Sequence, residues 1–406
     1  MTNQPIIMDA GAVPGDVSPV LRMLLSMTSR IEVGTLDLTL PDGRILRWVG
    51  SRPGPHAELT IRNARVARRY VFGGQVGFAE SYMDGDWESA DLAALLEFFA
   101  RNHEAIAGSY DGGAVVATMR RLWHVWRANT RRGSRRNIAH HYDLGNTFYQ
   151  RWLDPTMTYS SAVFAEPAQP LDHAQRNKYR LVAEKLALSP GQKVLEIGCG
   201  WGGFAAHVAK TYDCSVTAIT VSKAQAEFAA QRVQREGLGE KVAVKLVDYR
   251  DLKDRFDAIA SIEMFEAVGE RYWPTFFGTV RDSLKPGGRA ALQVITIGDR
   301  FFESYRRNVD FIQRYIFPGG MLPSPSALAR EIGRAGLSLV REDFFGAHYA
   351  QTLASWQRRF QSAWPEIAQM NFDLRFKRMW EYYLAYCEAG FRAGSIDVAQ
   401  VAIARP

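Results

Sequence analysis

The chain has 406 residues, 47% of them hydrophobic and 23% charged, which fits a globular protein of two or three domains. No apolar run approaches the ~18 residues of a membrane-spanning helix, and the N-terminus lacks the basic start and apolar core of a signal peptide, so a cytosolic protein is expected. The net charge of +7 indicates an anionic partner, while three irregularly spaced cysteines predict neither a disulfide framework nor a metal site.

The N-terminal part of the chain is predicted to hold little chemistry. Residues 1–16 read as a disordered leader, and residues 17–119 as a small mixed α/β domain. Within this domain the pattern predicts a helix over 18–27, two alternating strands over 31–48 and an apolar helix over 91–100. No spacing here indicates catalysis, so the domain is interpreted as structural or substrate-presenting.

A basic linker follows at residues 120–138. In the stretch RRLWHVWRANTRRGSRR, arginines alternate with tryptophans. Three interpretations stay open: a nucleic-acid patch, a patch for phospholipid headgroups, or a solvated linker helix.

From about residue 139 onward, strand and helix patterns alternate. Strands are predicted over 194–197, 214–220, 242–248, 256–262, 290–297, 337–341 and 398–403. This alternation predicts an α/β fold with a seven-stranded, mostly parallel, doubly wound sheet, whose ligands bind at the carboxyl ends of the strands. The aromatic-rich insertion 301–323 indicates a lid or an apolar substrate wall, although its Phe311, Tyr315 and Phe317 fit a plain core equally well.

The glycine-rich turn in VLEIGCGWGGF follows the first of these strands. Such a turn lets a ligand approach the backbone and the start of the next helix closely. Its G-x-G-x-x-G spacing also matches the dinucleotide fingerprint, but the second strand, CSVTAIT, ends without the acidic residue that holds a nicotinamide ribose. Glu196 stands two residues before Gly198, which favours S-adenosylmethionine as the ligand.

Several motifs, in order, resemble the bacterial cyclopropane-fatty-acyl-phospholipid synthases. They are HHYDLGNTFYQRWLDPTMTYSSA, VLEIGCGWGGFA, VDYRDL, MFEAVG, RYIFPGGMLPS, FGAHYAQTL and CEAGFRAG. The resemblance runs from about residue 139 to the C-terminus and more weakly over the N-terminal domain through FAESYMDGDW. It implies a methyltransferase domain over 139–406, which uses S-adenosylmethionine to methylate cis-unsaturated acyl chains of membrane phospholipid and forms a cyclopropane.

The resemblance also implies a donor site. Its expected residues are Tyr159, Ser160, Glu196, Gly198, Gly200, Gly202, Thr220, Gln225, Asp248 and Tyr249. For Thr220 and Gln225, capping of the helix that begins near Ser222 is an equally good interpretation. Asp248 at the end of an apolar strand favours a ligand-binding role.

In this family, a bound bicarbonate takes up the proton released during the reaction. The resemblance places its ligands at Glu266, Tyr349, the backbone of Ile297 and Ser161, where a serine replaces the family's cysteine. Ile295 replaces a histidine, and apolar surface beside Glu266 is expected to raise the pKa of that carboxyl and to weaken bicarbonate binding. A methyl-branched alkene therefore remains an alternative product.

Further expectations concern Cys387 and the partners. Cys387 matches a cysteine sometimes assigned as catalytic, although the mechanism needs no thiolate. Because the sequence shows no membrane span and carries excess arginine, we expect a cytoplasmic protein that associates reversibly with the inner face of the membrane. Unsaturated phospholipid is the expected partner, a homodimer is expected, and nucleic acid is not. Two other functions stay open: a small-molecule or nucleic-acid methyltransferase of the same fold, and a lipid-binding protein without activity.

Overall fold

The computed structural model describes residues 5–8, 17, 21, 22, 25, 30–107 and 144–406. They form two compact units. The first holds the described residues up to 107 together with 308–312 and 364–395, and the second holds 144–307, 313–363 and 396–406. The predicted linker at 120–138 lies outside the described residues. Among these residues, no helix is both long and apolar enough to cross a membrane.

The strands are, in chain order, β1 (Ile6–Ile7), β2 (Val33–Thr39), β3 (Ile45–Val49), β4 (Arg52–Ile61), β5 (Trp87–Glu88), β6 (Lys193–Ile197), β7 (Ser215–Thr220), β8 (Val242–Leu246), β9 (Phe256–Ile262), β10 (Leu284–Ile297), β11 (Ser338–Phe344) and β12 (Ile396–Ala404). The helices are α1 (Arg65–Met83), α2 (Leu92–Arg101), α3 (His103–Ala107), α4 (Asn146–Trp152), α5 (Leu171–Leu186), α6 (Gly203–Thr211), α7 (Lys223–Arg235), α8 (Trp273–Ser283), α9 (Asp299–Arg307), α10 (Pro325–Arg334), α11 (Gly346–Ala368) and α12 (Leu374–Arg392). A π-helical turn covers Ile312–Ile316.

The first unit contains a mixed sheet with the strand order β1-β3-β2-β4-β5. The predicted hairpin of β2 and β3 is present and antiparallel. Residues 6 and 7, predicted within a disordered leader, instead pair in parallel with β3, whose edge offers unpaired backbone groups. Trp87 on β5 anchors the packing: it stacks on Phe78 with ring centroids 4.3 Å apart and donates its indole N–H to Ser81 Oγ at 2.9 Å.

Helix α12 completes the first unit, although its sequence lies in the region predicted as the methyltransferase domain. Arg375 donates to Asp84 at 2.9 Å, and Tyr382 lies 5.8 Å from Tyr82, centroid to centroid. Arg101 donates to the carbonyl of Arg392 at 2.9 Å. These contacts explain why residues 364–395 cluster with the N-terminal residues.

The second unit is built on a seven-stranded sheet with the order β11-β12-β10-β9-β6-β7-β8. Strands β8, β7, β6, β9 and β10 are parallel, and β12 runs antiparallel between β10 and β11. The predicted sheet class is therefore confirmed. Strand β10 begins before its predicted start at residue 290, and its pairing with β9 shifts register between Leu284 and Arg289.

Both faces of this sheet are buried. Successive strand residues point to opposite faces and therefore contribute to two different cores. Leu195, Ile259 and Leu292 belong to one core, with Phe276 and Val280 of α8. A second core contains the small residues Ala218, Ala258 and Ala260, with side chains from α5, α6 and α7. Parallel strands covered on both faces in this way place their carboxyl ends along one edge of the sheet, where loops are free to form a site.

Candidate active site

The glycine turn lies at the carboxyl end of β6. Gly198, Gly200 and Gly202 all have positive φ angles, of 82°, 51° and 79°. A Cβ on Gly198 would lie 2.6 Å from Met264 Cγ, and one on Gly202 would lie 3.0 Å from Ala229 Cβ, so these two glycines are needed for close packing. A Cβ on Gly200 would meet nothing within 4 Å.

Gly200 is thus the glycine whose surroundings suit a ligand. Its left-handed backbone borders open space, and helix α6 begins three residues later with backbone N–H groups at its first turn. This arrangement suits the carboxylate of S-adenosylmethionine, which needs backbone donors and a close approach. The residues of the turn therefore fit the predicted donor.

Buried ionisable side chains, Glu196 and Arg232, lie next to this turn. Glu196 at the end of β6 is 3% exposed, and burial raises its pKa to about 8, opposed by the N–H of Ala205 and by the charges of Lys178 and Arg232. Arg232 on α7 donates to the carbonyls of Trp201 at 2.9 Å and Thr156 at 2.8 Å. It joins the turn to the loop before α5.

Thr220 and Gln225 bond to each other after β7. The hydroxyl of Thr220 donates to the side-chain oxygen of Gln225 at 2.9 Å and accepts the N–H of Ser222 at 3.1 Å. The helix cap itself is Ser222, whose Oγ accepts the N–H of Gln225 at 3.3 Å. Both predicted residues are buried beside the turn, and their role toward the donor stays a prediction.

Asp248 forms an ion pair after β8. Both of its carboxylate oxygens accept from the guanidinium of Arg250, at 2.8 and 2.6 Å, and Asp248 is 3% exposed. The neighbouring Tyr249 packs edge-on against Phe276, and burial raises its pKa to about 12. The role of these two residues in binding the donor stays a prediction.

Tyr159 and Ser160 lie in the loop between α4 and α5. Tyr159 belongs to an aromatic cluster that we define as Tyr149, Trp152, Tyr159, Tyr349 and Trp356. Within it the ring of Tyr159 is 5.4 Å from Tyr149 and 5.3 Å from Trp356, and Trp356 is 6.1 Å from Tyr349. Ser160 accepts a hydrogen bond from the buried ammonium group of Lys178 at 2.7 Å.

A carboxylate that the sequence analysis missed lies next to this cluster. Glu263, directly after β9, accepts the hydroxyl of Tyr349 at 2.6 Å, the N–H of Ser161 at 2.8 Å and the side-chain amide of Gln293 at 2.7 Å. Its backbone φ is +48°, an unusual value for a residue other than glycine. Two of the residues predicted to hold an anion, Ser161 and Tyr349, thus meet on Glu263.

Glu266 lies close by, on the 3-10 turn Phe265–Ala267. One of its carboxyl oxygens accepts the N–H of Ile295 at 2.5 Å, and the other, Oε2, has no hydrogen-bond partner among the described residues. Burial, followed by the charge of Glu263, raises the pKa of Glu266 to about 8. The direction of this shift agrees with the expectation from Ile295.

The remaining predicted residues have other surroundings or partners. The N–H of Ile297 donates to the carbonyl of Pro323 at 3.0 Å. Cys387 belongs to the first unit, where it is partly buried and where burial raises the pKa of its thiol above the ordinary value. Among the insertion residues, Phe311 is buried in the first unit against Tyr382, with ring centroids 4.8 Å apart.

These contacts do not fit the predicted bicarbonate. The hydroxyl of Tyr349 and the N–H of Ser161 already donate to Glu263, and the N–H of Ile297 donates to Pro323. The carboxylate of Glu263, whose charge raises the pKa of Glu266, would also repel a further anion. Among the described residues, these three predicted donors are therefore already engaged.

Buried polar side chains that were not predicted from the sequence connect these groups. Gln293 on β10 donates both to Glu263 and to the carbonyl of Ser161, and it accepts from Gln400 on β12 at 3.1 Å. Lys178 is completely buried on α5, and burial lowers its pKa to about 8. For Gln293, the sequence does offer a signal: a glutamine within an apolar strand pattern. Its apolar neighbours on both sides indicate that its polar side chain lies in the core.

The sheet order and the glycine turn at its ligand-binding edge define the protein's class as a methyltransferase of the S-adenosylmethionine-dependent α/β type. Comparisons with known proteins agree. A family model described as mycolic acid cyclopropane synthetase matches residues 129–401. The chain belongs to this family, and it is an S-adenosylmethionine-dependent methyltransferase.

Individual relatives match over most of the chain. Tuberculostearic acid methyltransferase UfaA1 of Mycobacterium tuberculosis is 40% identical over 355 residues, 84% of this chain and 81% of the relative. The cyclopropane-fatty-acyl-phospholipid synthase of Escherichia coli K12 is 40% identical over 369 residues, 88% of this chain and 89% of the relative. The solved structure of mycolic acid cyclopropane synthase CmaA1, complexed with SAH and CTAB, matches with a TM-score of 0.63 at 32% identity, over 66% of this chain and 98% of that chain.

Proposed function

We propose that this enzyme transfers the methyl group of S-adenosylmethionine to the cis double bond of an unsaturated acyl chain in a membrane phospholipid, and that the product is a cyclopropane. The observation that carries the proposal is the aromatic cluster beside the Glu263 carboxylate. The proposal is also supported by the Escherichia coli relative, whose alignment covers 88% of this chain. Its name specifies an acyl phospholipid.

The aromatic cluster suits this substrate because a double bond is a weak nucleophile. S-adenosylmethionine supplies an electrophilic methyl group when bound. Addition of that methyl to one carbon of the double bond leaves a positive charge on the other carbon, which the ring faces of Tyr159, Trp356 and Tyr349 can stabilise while they exclude water. An amine or hydroxyl nucleophile would not need such a lining.

The second step needs a base. If the proton leaves from the transferred methyl, its electron pair closes the three-membered ring. Loss of a proton from a neighbouring chain carbon would instead give a methyl-branched alkene. One carboxylate beside the cluster serves either outcome, and the cyclopropane is favoured because it is the named product of the Escherichia coli relative.

The test is incubation of the enzyme with donor labelled in the methyl group and with anionic vesicles that contain a cis-monounsaturated phospholipid. Label should enter the acyl chains of these lipids and not those of matched vesicles with saturated chains. A reagent specific for double bonds should leave the methylated chain unreacted. Label in RNA alone, or donor binding without methylated lipid, would contradict the proposal, and a reactive methylated chain would establish the alkene.

A further inference from the structure

We propose that Glu263 is the base of this reaction, and that its carboxylate occupies the place where the family resemblance puts a bicarbonate ion. The inference rests on the proposed function. It predicts an enzyme that carries its own base and does not depend on dissolved bicarbonate.

The hydrogen bonds around Glu263 are the first support. The three donors come from three separate parts of the fold: the hydroxyl of Tyr349 on α11, the N–H of Ser161 in the loop before α5, and the amide of Gln293 on β10. Together they form a cradle for a planar anion with two exposed oxygens. A carboxylate has the same shape and charge as one face of bicarbonate, so the side chain satisfies donors that an ion would otherwise satisfy.

The backbone at Glu263 is the second support. A φ of +48° lies in the left-handed region, which glycine adopts readily and a residue with a Cβ adopts at a cost. Strain of this kind persists where the surrounding structure holds the residue in place, and it is concentrated at functional sites. Here the three donors to the carboxylate hold the residue.

Charge is the third support. Burial raises the pKa of Glu263, while the hydrogen bond from Tyr349, the charge of Lys178 on α5 and the hydrogen bonds from Gln293 and Ser161 oppose this rise and favour the ionised form. Glu266, on the turn after β9, accepts the N–H of Ile295 and has a pKa of about 8. The hydrogen bonds and the charge of Lys178 thus favour a carboxylate on Glu263, whereas burial and the charge of Glu263 favour a proton on Glu266, as expected for two carboxyl groups in unlike surroundings.

The proposed step is a proton transfer from the alkyl cation. A C–H bond of the transferred methyl breaks, its electron pair forms the second C–C bond of the ring, and the proton goes to a carboxylate oxygen of Glu263. The cation and the carboxylate are both neutralised, so no oxidant or further reactant is required. The proton passes to solvent when the product leaves.

Two variants test the base. Glu263→Gln keeps the size of the side chain but removes the carboxylate, and Glu263→Gly removes the side chain at a φ that glycine accepts. Glu227→Gln, an exposed glutamate on α7, is the matched control. Methyl transfer is measured in buffer freed of carbon dioxide and again with added bicarbonate, and folding is checked by circular dichroism.

Wild type and Glu227→Gln should be equally active with and without bicarbonate. Glu263→Gln should lose about 100-fold or more in kcat in both buffers, the loss typical of a missing general base. Without bicarbonate, Glu263→Gly should be as weakly active as Glu263→Gln. It should regain activity when bicarbonate is added, because the three donors are then free to bind the ion. Wild-type activity that requires bicarbonate, or a Glu263→Gln variant with activity close to wild type, would overturn the proposal.

A binding measurement separates this inference from the proposed function. With 13C-bicarbonate and no lipid, the carbon resonance should broaden in the presence of Glu263→Gly and remain sharp with wild type. Bicarbonate binding by wild type would overturn the inference whatever the substrate. Failure of wild type to methylate any lipid would contradict the proposed function, while the same resonance would still report whether Glu263 fills the anion position.

Discussion

At the scale of single residues, Glu263 and Glu266 are only three residues apart in the sequence, yet their carboxyl groups have different surroundings. Glu263 has a left-handed backbone and three donors, whereas Oε2 of Glu266 has no hydrogen-bond partner within the part of the chain that the structure describes. The sequence indicated Glu266 through the motif MFEAVG. It did not single out Glu263, because neither its φ angle nor its hydrogen-bond donors can be read from the sequence.

The pKa of Glu266 predicts how stability depends on pH. The ordinary value is 4.5 and the folded value is about 8, so between these values the folded chain keeps a proton that the unfolded chain has lost. The free energy of unfolding should therefore fall as pH rises from 4.5 to 8. The contribution of one such group is at most about 1.4 kcal/mol per pH unit.

Substitution of Glu266 by Gln should make this decline less steep. Urea unfolding of wild type and Glu266→Gln at several pH values from 5 to 8 measures it, with Glu227→Gln as the control for an exposed glutamate. Equal slopes for wild type and Glu266→Gln would show that Glu266 ionises at its ordinary pKa.

At the scale of elements, the apolar parallel strands were the most predictable. Strand β9 has the predicted bounds, 256–262, because its largely apolar sequence lies between the charged residues Arg255 and Glu263. Strand β4 was missed, since Pro53 and Pro55 argue against a strand. The structure accommodates them by a register shift in the pairing of β4 with β2, next to Gly34 and Gly54, whose lack of side chains permits close approach.

The glycine turn makes a prediction of its own. Gly200→Val places a branched side chain in the open space beside the turn, so the affinity for S-adenosylhomocysteine should fall at least tenfold while the sheet still folds. The left-handed φ of 51° adds a stability cost of roughly 1–2 kcal/mol. Isothermal titration calorimetry gives the affinity.

Gly287 provides the matched control for this substitution. It also has a positive φ, of 74°, and a Cβ there would meet nothing within 4 Å, but it lies near the start of β10. Gly287→Val should thus lose similar stability and keep its donor affinity. If both variants bind the donor as wild type does, the turn is not the donor site.

At the scale of the whole molecule, the charge of +7 predicts electrostatic attachment to anionic membranes. Each arginine near such a surface contributes about 1 kcal/mol to the free energy of membrane binding, and salt screens this contribution. Substitution of four arginines by glutamine should reduce cosedimentation with anionic vesicles most strongly at low salt. The positions, which lie outside the described residues, are Arg131, Arg132, Arg135 and Arg136.

A control with the same loss of net charge separates a local patch from a global effect. It replaces exposed cations of the second unit by glutamine at Arg176, Arg180, Lys210 and Lys223. Vesicle binding by this control should stay near the wild-type level. Equal losses in both variants would mean that net charge alone governs attachment.

The position of β12 in the sheet has a consequence for the order of assembly. It is the last strand in the sequence, yet it lies between β10 and β11 and brings Gln400 to the amide of Gln293. During synthesis from the N-terminus, β10 and β11 emerge first and cannot be joined in their final arrangement until β12 inserts between them. The cradle around Glu263 would therefore mature late, and a nascent chain that can already form the glycine turn would bind the methyl donor before it is able to catalyse the reaction.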